Sequence, residues 1–209
     1  FVNTLFNDCG LDIKNIGLPE SMQRKEDARL PKSILLMDPA IAFWLTIEQD
    51  ASAVSEATKK LELGDRRLVA CPVNDNWDGG RANGGSHWSL LVGWAGAAKG
   101  DFSFVHYDSM ATGHGDDPSY RHAQLLAARL VGQQVAVSQG ACPQQANSYD
   151  CGVYVLMFSA TVAGAVLTAG KGPLAKRGQP VWEKDFKLLT PREVTKRRGQ
   201  YYQMAKADI

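Results

Sequence analysis

From Val153 to Leu167 the chain reads VYVLMFSATVAGAVL, without one charged side chain, and directly before it stands NSYDCG. By the periodicity rule a helix apolar nearly all round is central, packed by other elements on every side. The rest of the chain must therefore supply those elements. With 209 residues, 44% of them hydrophobic, it is long enough to bury one sizeable core, so residues 1–209 are expected to form a single domain. The run is also shorter than the roughly 18 uninterrupted apolar residues of a membrane span, and the first residues, FVNTLFNDCG, lack a charged segment followed by an apolar one. Neither membrane insertion nor secretion is expected.

The elements around this helix can be placed from pattern. DPAIAFWLTIEQ has Asp38 as an N-cap and Pro39 at the first helical position, and SAVSEATKKLEL follows as a second amphipathic helix. Strand character begins at Arg67, with LVACPVN (68–74), HWSLLVGWAG (87–96) and DFSFVHYDS (101–109). Only AAKG separates the last two, which predicts a hairpin. SYRHAQLLAARLVGQ (119–133) reads as an amphipathic helix, QVAVSQ as a short strand, and GKGPLAKRGQP (170–180) as a linker. In the tail, Thr190, Pro191 and Glu193 start a last helix whose Lys196, Arg197 and Arg198 are read as a solvated face. Helices, a few antiparallel strands and more helices give an α+β fold, a small mostly antiparallel sheet packed by helices.

Several function classes drop out early. The 23 basic and 22 acidic residues leave a formal charge of +1, so no general nucleic-acid footprint is present. The loop DNWDGGRANGGS (75–86) lacks a GK[ST] ending and leads into a strand, so it is not a phosphate cradle. It is read as a mobile loop with a lid-like position. Cys9, Cys71, Cys142 and Cys151 contain no CxxC or CxH pair, which disfavours a structural zinc site, and no metal or other cofactor is expected. Free thiols in a reducing compartment, cytoplasmic or nuclear, is the expectation. Cys71 is read as a core residue.

Cys151 is different, because it stands at the first turn of the apolar helix. Unpaired N–H groups and the positive end of the helix dipole favour a thiolate there. A thiolate benefits from a base and an orienting group. Of the four histidines, His122 and His114 are expected to be exposed, and His106 to sit in a strand on the same face as Asp108. His87 starts a strand directly after the loop, where catalytic groups are commonly displayed. If the hairpin forms, His87 at one strand's start lies near Asp108 at the other's end. That geometry supports a catalytic triad of Cys151, His87 and Asp108. A capping or surface role fits the local sequence of Asp108 equally well, and Trp88 alone reads as a strand core aromatic.

GGSHWSLLV, FVHYDS and QQANSYDCGVYV, in that order, resemble the ubiquitin-like-protein-specific cysteine proteases, the Ulp or sentrin-specific protease family. VNDN before the loop and LTPREVTKRRG near the end resemble its deneddylase branch, acting on the Nedd/Rub modifier. The similarity covers roughly residues 61–203. It implies a papain-like, adenain-like fold with Cys151 as nucleophile, His87 as general base and then acid, and Asp108 as orienter. It also implies that Gln145 donates to the oxyanion hole and that Trp88 lines the tunnel for the modifier's diglycine tail. The tryptophan motif that this family carries near the start of the domain is absent from FVNTLFN, so it is expected to lie upstream, in a longer protein.

The resemblance therefore implies a thiol isopeptidase and C-terminal hydrolase, monomeric, whose partner is a ubiquitin-like modifier of the Nedd/Rub type. A deSUMOylating protease is the alternative within the family. An effector-type acetyltransferase using the same cysteine, or a module that binds the modifier without cleaving it, are the alternatives outside it. Asp150 is expected to cap the buried helix.

Overall fold

The computed structural model describes residues 31–81, 84–96, 98–110, 117–176 and 179–207. FVNTLFN, Cys9 and His114 lie outside the described residues. In chain order the elements are β1 (Ile34–Leu36), α1 (Pro39–Ile47), α2 (Ala51–Lys60), β2 (Leu68–Asn74), β3 (Trp88–Ala95), β4 (Phe102–Tyr107), α3 (Pro118–Val131), β5 (Val137–Gln139), α4 (Cys151–Ala169), β6 (Ala175–Lys176), β7 (Gln179–Pro180), α5 (Glu183–Phe186) and α6 (Pro191–Ala207). Aspartate followed by proline starts two of the helices. Asp38 accepts from the N–H of Ala40 at 2.6 Å ahead of α1, and Asp117 from Ser119 at 2.8 Å ahead of α3. Each pairs a side-chain acceptor for the free amides with a proline whose missing N–H costs nothing there.

The strands form one sheet in the order β1-β2-β3-β4-β5. Its centre is antiparallel, as expected, with Cys71 opposite Leu91 and Leu90 opposite Tyr107. Both edges are parallel: β1 runs with β2 and β5 with β4. The strand β1 lies before Arg67, the point at which strand character is expected to begin. Its three residues are too few to show a period, and its conformation is set by pairing with β2.

Helices cover both faces of the sheet, which is why its strands read as nearly continuous apolar runs. On one face Leu68, Leu90, Val92 and Tyr107 pack with Val153, Phe158, Phe186 and Tyr201, contributed by α4, α5 and α6. On the other Val69, Cys71, Leu91 and Phe104 pack with Leu45, Val54, Leu126 and Leu130, from α1 to α3. By length and composition α4 could cross a bilayer, yet 72% of its most apolar window is buried inside the fold. It is the core helix that its sequence requires. Phe158 meets Phe186 at 4.7 Å between ring centroids, and Phe186 stands edge-on to Tyr107 at 4.8 Å. Trp182 Nε1 donates to the Tyr107 hydroxyl at 2.9 Å, satisfying the polar ends of two buried aromatics.

Two expectations about side chains and segments are corrected. His122 is fully buried: its Nδ1–H donates to the Asn74 carbonyl at 2.6 Å, and Trp77 packs edge-on to its ring. It follows the same helical period as Leu126 and Leu130 on the face that α3 turns to the sheet. The stretch 170–180, read as a linker, contains the two-stranded ribbon of β6 and β7.

Candidate active site

His87 precedes β3 and Asp108 follows β4, so the hairpin carries both groups at one end of the sheet. With Leu90 opposite Tyr107, Asp108 comes level with Ser89, two residues from His87 and on the same face. His87 Nε2–H donates to Asp108 Oδ1 at 2.7 Å, and the same oxygen accepts the N–H of Met110 at 2.7 Å. Asp108 is 5% exposed, so this carboxylate has little water to compete with the imidazole. Its carbonyl is held as well, by the Cys142 thiol at 3.2 Å and by Gln144 Nε2 at 2.9 Å.

The backbone of His87 is fixed by Asp75, the aspartate of the VNDN motif, to which the sequence assigns no role. Asp75 Oδ1 accepts the N–H of Ser86 at 2.7 Å and of His87 at 3.0 Å, while its Oδ2 takes the Ser86 hydroxyl at 2.8 Å. Asp75 thus ties together the two ends of the loop 75–86. Gly85 completes this neck with φ of 83°, where a β-carbon would also lie 2.2 Å from Asn74 Oδ1. Only glycine fits there. Burial disfavours the Asp75 carboxylate, but these hydrogen bonds outweigh it and hold its pKa below the usual value.

Cys151 is the first residue of α4 and is buried. With Nε2 of His87 taken by Asp108, Nδ1 is the ring nitrogen left for the thiol. Nδ1 is buried and has no hydrogen-bond partner among the described residues. Burial opposes ionisation of Cys151, but the neighbouring His87 side chain, the N–H of Trp88, the charge of His87 and the N–H of Gly152 outweigh it. The thiol is held below its ordinary range. Burial likewise disfavours a charged His87, yet Asp108 and Cys151 push its pKa up to about 10. Against its own burial, Asp108 is held low by His87. These shifts all favour a thiolate–imidazolium pair beside a carboxylate.

The other candidates have structural roles. His106 is buried with Nε2 on the Ser89 hydroxyl at 2.7 Å, and burial lowers its pKa to about 4, so it stays neutral. Burial pushes the Cys142 thiol up to about 12 and raises the Cys71 thiol still further. Among the described residues no group of histidine, cysteine and carboxylate side chains could hold a metal.

Trp88 is partly buried, packed against the core beside α4. Gln145 donates its backbone N–H to the Ser109 carbonyl at 2.7 Å and accepts the Ser109 hydroxyl on Oε1 at 2.8 Å. Its Nε2 donates to the Asn147 carbonyl and faces Met110 Sδ at 3.1 Å. A carbonyl partner can only be met by the NH₂ group, which fixes the orientation of this amide.

Asp150 does not cap α4. Its backbone is helical, with φ −92° and ψ 0°, and its side chain makes no bond to the helix amides. Instead Oδ1 accepts Arg198 Nη1 at 2.7 Å and Oδ2 accepts Asn147 Nδ2 at 2.8 Å. The basic run of α6 is only in part a solvated face: Lys196 is exposed and Arg197 pairs with Glu193 of the same helix at 3.1 Å, but Arg198 reaches the site. The tail's spacing holds no trace of this partnership, because the two residues lie 48 apart in sequence.

A cysteine thiolate, an imidazolium and an orienting carboxylate at the mouth of a core helix are the working parts of a cysteine peptidase. Residues 33–170 match the C-terminal catalytic domain of the Ulp1 protease family. The chain belongs to that family. It is 30% identical over 174 residues to sentrin-specific protease 8 of Mus musculus, covering 80% of this chain and 69% of that protein. To NEDD8-specific protease 1 of Arabidopsis thaliana it is 32% identical over 169 residues, covering 76% and 67%. Among solved structures, the Xanthomonas campestris effector protein XopD bound to ubiquitin superposes with a TM-score of 0.53 at 21% identity, covering 86% of this chain and 89% of that one. That likeness speaks to the fold, which is the α+β protease fold expected.

The pairing of Cys151 with His87 has a measurable sign. Alkylation of Cys151 by iodoacetamide is expected to set in at lower pH than for a free cysteine, whose pKa is ~8.5. It should slow only as pH falls through the lowered thiol value. Hydrolysis should fall again above about pH 10, where His87 loses the proton that a leaving amine needs. An alkylation curve centred near ~8.5 would contradict the ion pair.

Proposed function

We propose that this cysteine peptidase is an isopeptidase and C-terminal hydrolase, cleaving after the diglycine tail of a ubiquitin-like modifier of the Nedd/Rub type. The single observation that carries the chemistry is the His87–Asp108 bond of 2.7 Å beside a cysteine whose pKa is lowered. The choice of modifier is supported by the names of the relatives, one called NEDD8-specific, at about a third identity. The protein acts as a monomer, in the cytoplasm or nucleus, where its free thiols Cys71, Cys142 and Cys151 stay reduced.

In this reading the Cys151 thiolate attacks the carbonyl of the modifier's last glycine. The negative charge that develops on the carbonyl oxygen is received by the N–H of Cys151 and by Gln145 Nε2. One N–H of that amide rests on Asn147; the other faces Met110 Sδ, a weak acceptor that an oxyanion would displace. Such a donor contributes roughly 3 to 4 kcal/mol to the transition state. The His87 imidazolium then gives its proton to the departing lysine amine. A thioester remains, and His87, now neutral, activates the water that hydrolyses it. Trp88 forms a wall of the passage for the tail, where two glycines let the backbone pass close to the ring.

The test is a panel of substrates, each a Nedd/Rub, SUMO or ubiquitin modifier joined at its C-terminus to a lysine side chain. The Nedd/Rub conjugate is expected to be cleaved with the highest kcat/KM. Cleavage of SUMO conjugates with Nedd/Rub conjugates untouched would replace the modifier while keeping the chemistry.

A further inference from the structure

The residue immediately before the nucleophile is a buried carboxylate that does nothing for the helix it precedes. Asp150 is 4% exposed, and its neighbours explain how its charge is tolerated. Arg198 of α6 holds one oxygen at 2.7 Å, and Asn147 Nδ2 holds the other at 2.8 Å. The Arg198 guanidinium also lies 5.2 Å from the centroid of the Tyr149 ring. Asn147 Oδ1 in turn accepts the N–H groups of Tyr149 at 3.1 Å and Asp150 at 3.0 Å, and its carbonyl receives the Gln145 amide. A continuous chain of polar contacts thus runs from the C-terminal helix, through Asp150 and Asn147, to Gln145. Cys151 is attached covalently to its midpoint.

This arrangement has an electrostatic side. Among the described residues, the charged groups around Cys151 are His87 and Asp108 from the β3–β4 hairpin, Asp150 on its own segment, Arg198 from α6, and Glu183 of α5 beyond Tyr107. A carboxylate one residue away works against a thiolate unless it is neutralised. Arg198 is the cation that does so, and its side chain, 37% exposed, still has solvent to reach if the pair is broken.

We propose that Arg198 is a positioning residue. By binding Asp150 it holds the segment from Gln145 to Cys151 in its reactive shape and cancels the carboxylate beside the thiolate, making α6 a required part of the catalytic unit. The inference rests on Cys151 being the nucleophile.

The test compares the full chain with Arg198→Gln, Arg198→Lys, Asp150→Asn paired with Arg198→Gln, and Cys151→Ala. The substrate is the Nedd/Rub modifier carrying a fluorogenic C-terminal amide. Arg198→Gln leaves a buried unpaired charge, and kcat is expected to fall about ten- to a hundredfold with KM changed less than about threefold. The acid limb of Cys151 alkylation should move to higher pH. Arg198→Lys recovers part of kcat. The double variant removes the unpaired charge, so its alkylation profile returns to that of the native chain, while kcat stays reduced because the tether is gone. If Arg198→Gln fails to fold, the double variant still decides. Native kcat and an unshifted alkylation profile in folded Arg198→Gln, or native kcat in the double variant, overturn the proposal. An active Cys151→Ala would instead overturn the nucleophile assignment on which it rests.

Discussion

Replacing Cys151 by alanine is expected to lower hydrolysis of the modifier amide by about 10⁵ or more, leaving the fold and modifier binding in place. The size follows from what is removed. In the proposed mechanism the thiolate forms the covalent intermediate, and neither Cys71 nor Cys142 can replace it. Burial pushes the Cys142 thiol up to about 12, so it stays protonated, and Cys71 is in the core on the opposite face of the sheet. Truncating one small side chain at the start of α4 leaves the rest of that helix packed. Binding measured by calorimetry with the intact modifier should therefore persist. Loss of both activity and binding would mean that the change acted on folding and not on chemistry.

The second large effect is expected at Asp108. In Asp108→Ala the imidazole loses its carboxylate partner on Nε2, so both the tautomer and the charge of His87 are released together. We expect kcat to fall about 10⁴-fold, the size of the loss caused by removing the orienting carboxylate of a serine-protease triad. The alkylation profile of Cys151 should move toward that of an ordinary cysteine, because the imidazolium that stabilises the thiolate is itself held charged by Asp108. Asp108→Asn retains an oxygen that can accept the Nε2–H and should fall between the alanine variant and the native chain. Steady-state kinetics alongside the alkylation profile separates the two contributions. Activity of Asp108→Ala within threefold of native would contradict the assignment.

How much of the fold and site is legible in the sequence depends on how local each cause is. α4 is specified by its own apolar run, and the β3–β4 hairpin by two strands with a short connection, so pattern alone brings His87 and Asp108 together. α1 and α6 likewise start where their Asp-Pro and Thr-Pro signals put them. The features that pattern does not reveal are interactions set at a distance. β1 exists because β2 offers a parallel edge to pair with, a fact with no trace in three residues. His122 is polar by type, but its place in the helical period puts it on the buried face, where the Asn74 carbonyl satisfies it. Asp150 has the residue type of a helix cap, and nothing near it in sequence shows that its partner is Arg198. Asp75 stands at the start of a loop whose polar composition suggests mobility, and its closing contacts at Ser86 and His87 become visible only when the two ends meet.

The central claim is that Cys151, poised as a thiolate, attacks the carbonyl at the end of a ubiquitin-like modifier. Its most direct test is incubation of the full chain with a Nedd/Rub modifier whose C-terminal carboxyl has been replaced by a thiol-reactive electrophile, followed by intact-mass measurement and peptide mapping. One modifier per chain, joined to Cys151, with no adduct in Cys151→Ala, is the predicted result. No adduct with the folded native chain, or an adduct at another cysteine that survives Cys151→Ala, would contradict it.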